Sequence, residues 1–123
     1  MPTRRVVVTG TGVLSAIGHD TKQFWDSIVN CRPGIGPYDA VDRTLVRFQH
    51  GAEVKNYDPA VYFESKQMDL MDRFAQFALI AAMEAVNQSG IDCARDSGTR
   101  TAVICGPSIG GVVSQQKAYI DLY

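Results

Sequence analysis

The sequence predicts an α/β fold in which helices pack against a mixed, mostly parallel sheet. Two short β-branched runs, Arg5–Thr9 and Thr101–Cys105, are each followed by a glycine-containing loop. Such continuous apolar runs are typical of strands buried on both faces of a parallel sheet. Between them, Asp69–Ser89 carries apolar residues at helical spacing. Strand, loop and helix therefore alternate along the chain, which favours a layered α/β architecture.

The N-terminal third is predicted to be a strand, a loop and a helix. Gly10–Gly18 forms the loop that leaves the first strand. Asp20 or Thr21 can then cap a helix of about ten residues, because either side chain accepts a backbone hydrogen bond at a helix start. We expect Pro33 and the glycine after it to end this unit.

The middle of the chain gives weaker signals. Residues 35–47 show no clear period and are predicted to be irregular, whereas Phe48–Val54 is predicted to add a strand. Asp58 followed by Pro59 is a capping residue followed by proline at the first helical position. We therefore expect one helical turn there.

The strongest local prediction is the helix over Asp69–Ser89, which Gly90 should end. Its middle, Phe77–Met83, is apolar on every side, which predicts a helix enclosed by other elements. Asp69 and Asp72 are three residues apart and are expected on one helix face near the N-terminus, where the helix dipole favours carboxylates.

The last part of the chain is expected to hold the strand Thr101–Cys105, the loop Gly106–Gly111 and a helical or mixed segment from Val113 onwards. Only two or three strands can be counted, which is few for a layered sheet. We therefore expect residues 1–123 to be the N-terminal part of one larger domain, apparently truncated.

Composition excludes several functional classes. The 123 residues are 46% hydrophobic and 20% charged with a net charge of −1, as in ordinary globular proteins. This balance argues against non-specific nucleic-acid binding, which needs a basic surplus. The apolar stretch Phe77–Met83 is far shorter than the roughly 20 residues of a membrane span. Three cysteines without metal-ligand spacing favour a reducing, cytoplasmic location.

The first glycine turn, Gly10–Ser15, nearly matches a dinucleotide-binding fingerprint. Ser15 stands at the third glycine position, and no acidic residue ends a second strand about 20 residues later. The preferred interpretation is a tight turn in which glycine adopts positive φ.

The second glycine loop, Gly106–Gly111, lacks the lysine of a phosphate-binding P-loop. It presents Ser108 and Ile109 at the end of a predicted strand, where α/β proteins usually bind ligands. A substrate-lining role and a purely structural turn remain equally open on these grounds.

No catalytic nucleophile is predicted in this sequence. Cys105 ends an apolar run without a neighbouring histidine, so a buried packing cysteine is expected. His19 and His50 lie in separate polar stretches and are expected at the surface.

Taken together and in order, four stretches resemble the N-terminal portion of a β-ketoacyl-acyl carrier protein synthase. They are Arg5–Ser15 with Gly18, Phe24-Trp25 leading to Pro33–Ile35, Met71–Phe77 running into Ala81–Ala85 and Ser89–Ile91, and Gly106–Gly111. The resemblance covers nearly the whole chain. It implies a thiolase-like layered αβαβα fold, acting as a homodimer or a ketosynthase heterodimer.

The resemblance also implies a reaction. Family members transfer an acyl group from acyl carrier protein to a cysteine and condense it with a decarboxylated malonyl thioester in fatty-acid or polyketide synthesis. No metal or redox cofactor is implied. The cysteine lies in a later Thr-Ala-Cys motif and the histidines later still, and none of these motifs occurs in residues 1–123. The chain alone is therefore expected to be inactive, with no catalytic residue of its own.

Two binding roles carry over residue by residue. Ile109, beside Ser108, matches the position that lines the acyl pocket near the dimer interface. Lys66 matches a basic residue used to dock the acidic carrier protein, although Asp69 and Leu70 stand where bacterial fatty-acid synthases often have further basic residues.

Two alternatives to a ketosynthase stay open from sequence alone. One is a non-catalytic chain-length-factor-like subunit that pairs with an active ketosynthase. The other is a small nucleotide-binding module built on the first glycine turn.

Overall fold

The computed structural model describes residues 4–40, 42–92, 95 and 101–123. Within these ranges the chain is mostly helical, with one small antiparallel sheet. In chain order the elements are helix α1 (Thr21–Val29), strands β1 (Gly36–Pro37) and β2 (His50–Gly51), a 3-10 turn (Pro59–Val61), and helices α2 (Ser65–Leu70), α3 (Arg73–Ser89) and α4 (Val112–Leu122).

Helix α1 begins where the capping residues predict. Asp20 has extended backbone, and its Oδ1 accepts a 2.7 Å hydrogen bond from the Gln23 amide. On the inner side of the helix, buried Ser27 donates from Oγ to the Ile17 carbonyl at 2.6 Å. The helix is thus fixed both at its start and to the loop that precedes it.

The predicted helix over Asp69–Ser89 is two helices, which corrects its start. Asp69 belongs to α2, and Met71 and Asp72 are extended, with ψ angles of 124° and 156°. Asp69 and Asp72 therefore do not share a helix face. The C-terminal end is confirmed, since Gly90 has the left-handed φ of 68° that ends many helices.

The predicted strands Arg5–Thr9 and Thr101–Cys105 do not form among the described residues, and this corrects the expected parallel sheet. Val6 is 93% exposed and Ile104 94% exposed. A strand of a parallel sheet needs neighbours along its edges and layers on both faces, and the described residues supply neither.

The sheet that does form is a two-residue antiparallel pairing of β1 with β2. Gly36 pairs with Gly51 and Pro37 with His50. The predicted strand Phe48–Val54 is therefore reduced to its centre, and its partner comes from a segment predicted to be irregular. The turn predicted at Asp58-Pro59 is confirmed, with Asp58 Oδ1 accepting from the Ala60 amide at 2.9 Å.

The buried core of the described chain is small. Its buried hydrophobic side chains are Phe63 and Ile80. Helix α3 is not enclosed as predicted, because Leu79 and Met83 are 41% and 45% exposed. Helix α3 carries more apolar side chains than the other described residues cover. No described helix is long and apolar enough to cross a membrane.

Candidate functional site

The first glycine turn packs directly against the backbone of α3. A Cβ atom added to Gly10 would stand 2.0 Å from the Ala85 carbonyl oxygen, and one on Gly12 would stand 1.9 Å from that of Ala81. Neither glycine has a positive φ, so the prediction that glycine is needed here for a left-handed backbone is wrong. These glycines are required by a close backbone approach to small residues of the helix.

Two side chains of α3 accept hydrogen bonds from the backbone amides of this turn. Gln88 Oε1 accepts from the Thr11 amide and hydroxyl, and Glu84 Oε2 accepts from the Val13 amide at 2.9 Å. A nucleotide-binding turn directs such amides at a pyrophosphate. Here the amides are already occupied by side chains of the protein, which argues against the nucleotide-binding alternative.

Glu84 also joins this turn to α1. Its Oε1 accepts from the Thr21 amide at 2.8 Å and from the Thr21 hydroxyl at 2.6 Å. Burial by itself raises the pKa of Glu84, but the hydrogen bonds from Thr21 and Val13 outweigh it and lower the pKa below its ordinary value. One carboxylate thus connects the first glycine turn, the start of α1 and the middle of α3.

The second glycine loop, Gly106–Gly111, lies against the start of α3. A Cβ atom on Gly110 would stand 2.7 Å from the ring of Phe74. Gly111 has a left-handed φ of 76° and begins α4. Ser108 is exposed, and Ile109 is 77% exposed. The loop is therefore held at its C-terminal end while its two predicted pocket residues remain uncovered by the described chain.

Asp72 ties the end of this loop to α3. Its Oδ2 accepts from the Ser114 hydroxyl at 2.8 Å and from the Ser114 amide at 3.1 Å. These two donors are the main cause of the lowered pKa of Asp72. A groove of about 500 Å³ lies beside this contact, between the α2–α3 junction and α4. Sequence reasoning assigned no role of this kind to Asp72.

Lys66 lies on α2 and is exposed. The helix is fixed at its start by a reciprocal capping box, in which the Glu64 amide donates to Gln67 Oε1 at 3.0 Å. Among the residues that the structure describes, Lys66 makes no ion pair. The groove beside Asp72 is lined on one side by residues of α2 from Met68 onwards and on the other by residues of α4 from Val113 onwards.

A second groove, of about 400 Å³, lies where the segment around β1 and β2 meets α3. Arg73 donates to the Val54 carbonyl at 2.8 Å, and its guanidinium lies over the rings of Tyr57 and Phe77. Lys55 pairs with Asp39. The cations of this groove are therefore used in contacts within the protein, and Arg73 anchors the segment to the helix.

The cysteines and histidines form no reactive pair in the described chain. Cys105 is exposed, which corrects its predicted burial, and Cys31 is also exposed. Cys93 lies outside the described residues. His19 is half-buried and His50 exposed. Among the residues that the structure describes, no group of acidic, histidine or cysteine side chains has the arrangement of a metal site.

Comparison with known proteins places this geometry in a family. Residues 3–123 match the family described as "Beta-ketoacyl synthase, N-terminal domain". The chain is 34% identical over 119 residues to 3-oxoacyl-[acyl-carrier-protein] synthase 2 of Coxiella burnetii, covering 97% of this chain and 29% of that protein. It is 33% identical over 121 residues to the protein of the same name from Synechocystis, covering 96% and 29%.

A solved structure of a ketosynthase-type protein has a similar fold. The ishigamide ketosynthase/chain length factor matches with a TM-score of 0.66 and 31% sequence identity, over 74% of this chain and 23% of that chain. The chain spans about 29% of the length of the curated relatives it matches. On the family match and these identities, the chain belongs to the β-ketoacyl synthase family and corresponds to its N-terminal domain.

Proposed function

We propose that residues 1–123 form the N-terminal part of a β-ketoacyl-acyl carrier protein synthase domain. The complete subunit would condense an acyl thioester with malonyl-acyl carrier protein in fatty-acid or polyketide synthesis. The observation that carries this proposal is the family match over residues 3–123, together with relatives named 3-oxoacyl-[acyl-carrier-protein] synthase 2.

The proposed reaction has two steps. A cysteine thiolate attacks the acyl thioester, forms an acyl-cysteine and releases the carrier thiolate. The malonyl thioester then loses CO₂, and its carbanion attacks the acyl-cysteine carbonyl and expels the cysteine thiolate. Donors aimed at the developing oxyanion lower the barrier of both acyl transfers. The cysteine and the histidines of this reaction are proposed to lie outside residues 1–123.

The second glycine loop is proposed to contribute to the acyl pocket. Ile109 would limit the space for the acyl chain, with Ser108 beside it on the same loop. Support comes from the exposure of Ile109 and from the fixed end of the loop at Phe74 and Asp72. A loop anchored at one end can present a side chain at a defined depth in a pocket.

Lys66 is proposed to dock the acidic carrier protein. It is exposed on a capped helix whose C-terminal residues line the groove between α2 and α4. Such a charge increases the rate of association with an acidic partner more than it increases intrinsic affinity. Asp69 on the same helix reduces the local positive charge, so a modest contribution from Lys66 is expected.

A chain-length-factor-like subunit is the second candidate. One matched solved structure is described as a ketosynthase/chain length factor, a title that names both kinds of subunit and so keeps this candidate beside the synthase. Both candidates predict pairing with a second ketosynthase-type subunit, as a homodimer in the first case and a heterodimer in the second. They differ in whether the complete subunit carries the acyl-accepting cysteine.

The test is a condensation assay. The complete subunit that contains this chain is incubated with acyl- and malonyl-acyl carrier protein, alone and with its partner subunit, and 3-oxoacyl product is measured by mass spectrometry. Product from the subunit alone supports the synthase. When product forms only with the partner, the subunit that carries the acyl-cysteine decides: acyl-cysteine on the partner supports the chain-length factor, and acyl-cysteine on this subunit supports the synthase. Absence of product in both cases refutes the proposal. Residues 1–123 alone serve as the matched control and are expected to give no product.

A further inference from the structure

We propose that Asp72 is a positioning residue that sets the place of the Ser108–Ile109 loop by capping α4 from outside that helix. This inference rests on the proposed function, because it concerns the acyl pocket that the loop is proposed to line. It assigns to Asp72 no contact with substrate.

Comparison of three aspartates within this chain supports the inference. Asp20, Asp58 and Asp72 each stand at the N-cap position of a helix or helical turn. Asp20 and Asp58 accept a hydrogen bond from the backbone of their own element, as capping residues usually do. The side chain of Asp72 is directed mainly to Ser114 instead, and the amides of Arg73 and Phe74 at the start of α3 contribute less than Ser114 to lowering its pKa.

The recipient helix has no capping side chain of its own. The N-cap residue of α4 is Gly111, and Ser114 is the third residue of the helix. The amide at this position is one that an N-cap side chain would normally receive. Asp72 Oδ2 accepts this amide at 3.1 Å and also the Ser114 hydroxyl at 2.8 Å. The carboxylate thus supplies from α3 the cap that Gly111 lacks.

This contact controls the loop because of where it lies in the chain. Ser114 is five residues after Ile109, and Gly110 between them packs against Phe74, two residues after Asp72. The start of α3 therefore holds the loop at two adjacent points, one polar and one apolar. Loss of the polar contact removes one of these two points, and the Ile109 side chain then gains freedom to withdraw from the proposed pocket.

The first arm of the test measures the contact in the chain itself. Hydrogen exchange of the backbone amide at position 114 is compared between the wild type, Asp72→Ala and Ser114→Ala. Asp72→Ala is expected to lower protection of the Ser114 amide about tenfold, equivalent to about 1.4 kcal/mol. Asp20→Ala is the matched control, because it removes an aspartate cap from α1 without touching α4. It should leave Ser114 protection unchanged, and unchanged protection in Asp72→Ala overturns the proposal.

The second arm measures the consequence in the complete condensing subunit. Product chain lengths are compared for the same variants and for Ile109→Gly, which removes the proposed limiting side chain directly. Ile109→Gly should shift products towards longer chains. Asp72→Ala and Ser114→Ala should do the same, whereas Asp20→Ala should not. Ser114→Ala keeps the test open if Asp72→Ala fails to fold. If the variants are active and their product lengths are unchanged, the positioning role of Asp72 is overturned while the proposed function stands. If the wild type has no condensing activity, the proposed function itself is refuted.

Discussion

Substitution of Gly12 by alanine tests whether the first glycine turn exists to pack on α3. The added Cβ would stand 1.9 Å from the Ala81 carbonyl oxygen, and ordinary contact begins at 3.4 Å. Turn and helix must therefore separate by about 1.5 Å, the difference between these distances. Such a movement takes the 2.9 Å hydrogen bond from the Val13 amide to Glu84 beyond bonding range.

The magnitude follows from that bond. A hydrogen bond to a charged group stabilises by about 1.5 to 3 kcal/mol, and replacing glycine by alanine returns about 0.4 to 1 kcal/mol through the unfolded state. Gly12→Ala should therefore destabilise the turn by about 0.5 to 2.6 kcal/mol. Gly106→Ala is the matched control, because no atom lies within 4 Å of its added Cβ and its φ is not positive.

The assay is amide hydrogen exchange at Val13 and Thr21, which reports local opening of this turn. Gly12→Ala should lower the protection of both amides by about tenfold, corresponding to about 1.4 kcal/mol. Gly106→Ala should leave both at the wild-type value. Wild-type protection in Gly12→Ala, or an equal loss in Gly106→Ala, would refute the close-packing argument.

Three further predictions follow from single contacts. The folded pKa of Glu84 lies below its ordinary 4.5, so the stability that the ionised carboxylate contributes is present above that pH and is lost as pH falls through the folded pKa. Glu84→Gln should therefore reduce the loss of unfolding free energy at acid pH, measured by urea denaturation at a series of pH values. An unchanged loss of stability at acid pH contradicts this. Gly110→Ala should displace the loop from Phe74, visible as shifted ring resonances, and an unmoved ring would count against the packing. Lys66→Glu should slow carrier-protein association about threefold at low salt, unlike Lys22→Glu on α1, and equal effects would remove Lys66 from the docking surface.

Local signals in the sequence predicted the start of α1, the end of α3 and the turn at Asp58, but not helix α2. The Asp20 cap, the Gly90 stop and the turn at Asp58 depend on hydrogen bonds within a few residues, so the local sequence contains the information for them. The break at Met71 was missed because apolar spacing continues across it. Only the extended backbone of Met71 and Asp72 shows that two helices meet there.

Non-local features were harder to predict. Runs such as Arg5–Thr9 have strand composition, but a strand forms only with partners, and the described chain offers none. The roles of Glu84 and Asp72 depend on contacts 63 and 42 residues away. For Glu84 a signal was present, since a carboxylate that follows the apolar middle of the helix and lies beside Ala81 and Ala85 requires donors nearby where it is partly buried. Asp72 stands where a capping residue precedes helix α3. That position did not reveal that its side chain caps a different helix, α4.

The site of acyl transfer tests the central claim most directly. The complete subunit is incubated with an acyl-acyl carrier protein, digested, and searched by mass spectrometry for the acylated peptide. A condensing enzyme whose N-terminal part is this chain should carry the acyl group on a cysteine outside residues 1–123. An acyl group on Cys31, Cys93 or Cys105, or no transfer with or without a partner subunit, would contradict the account.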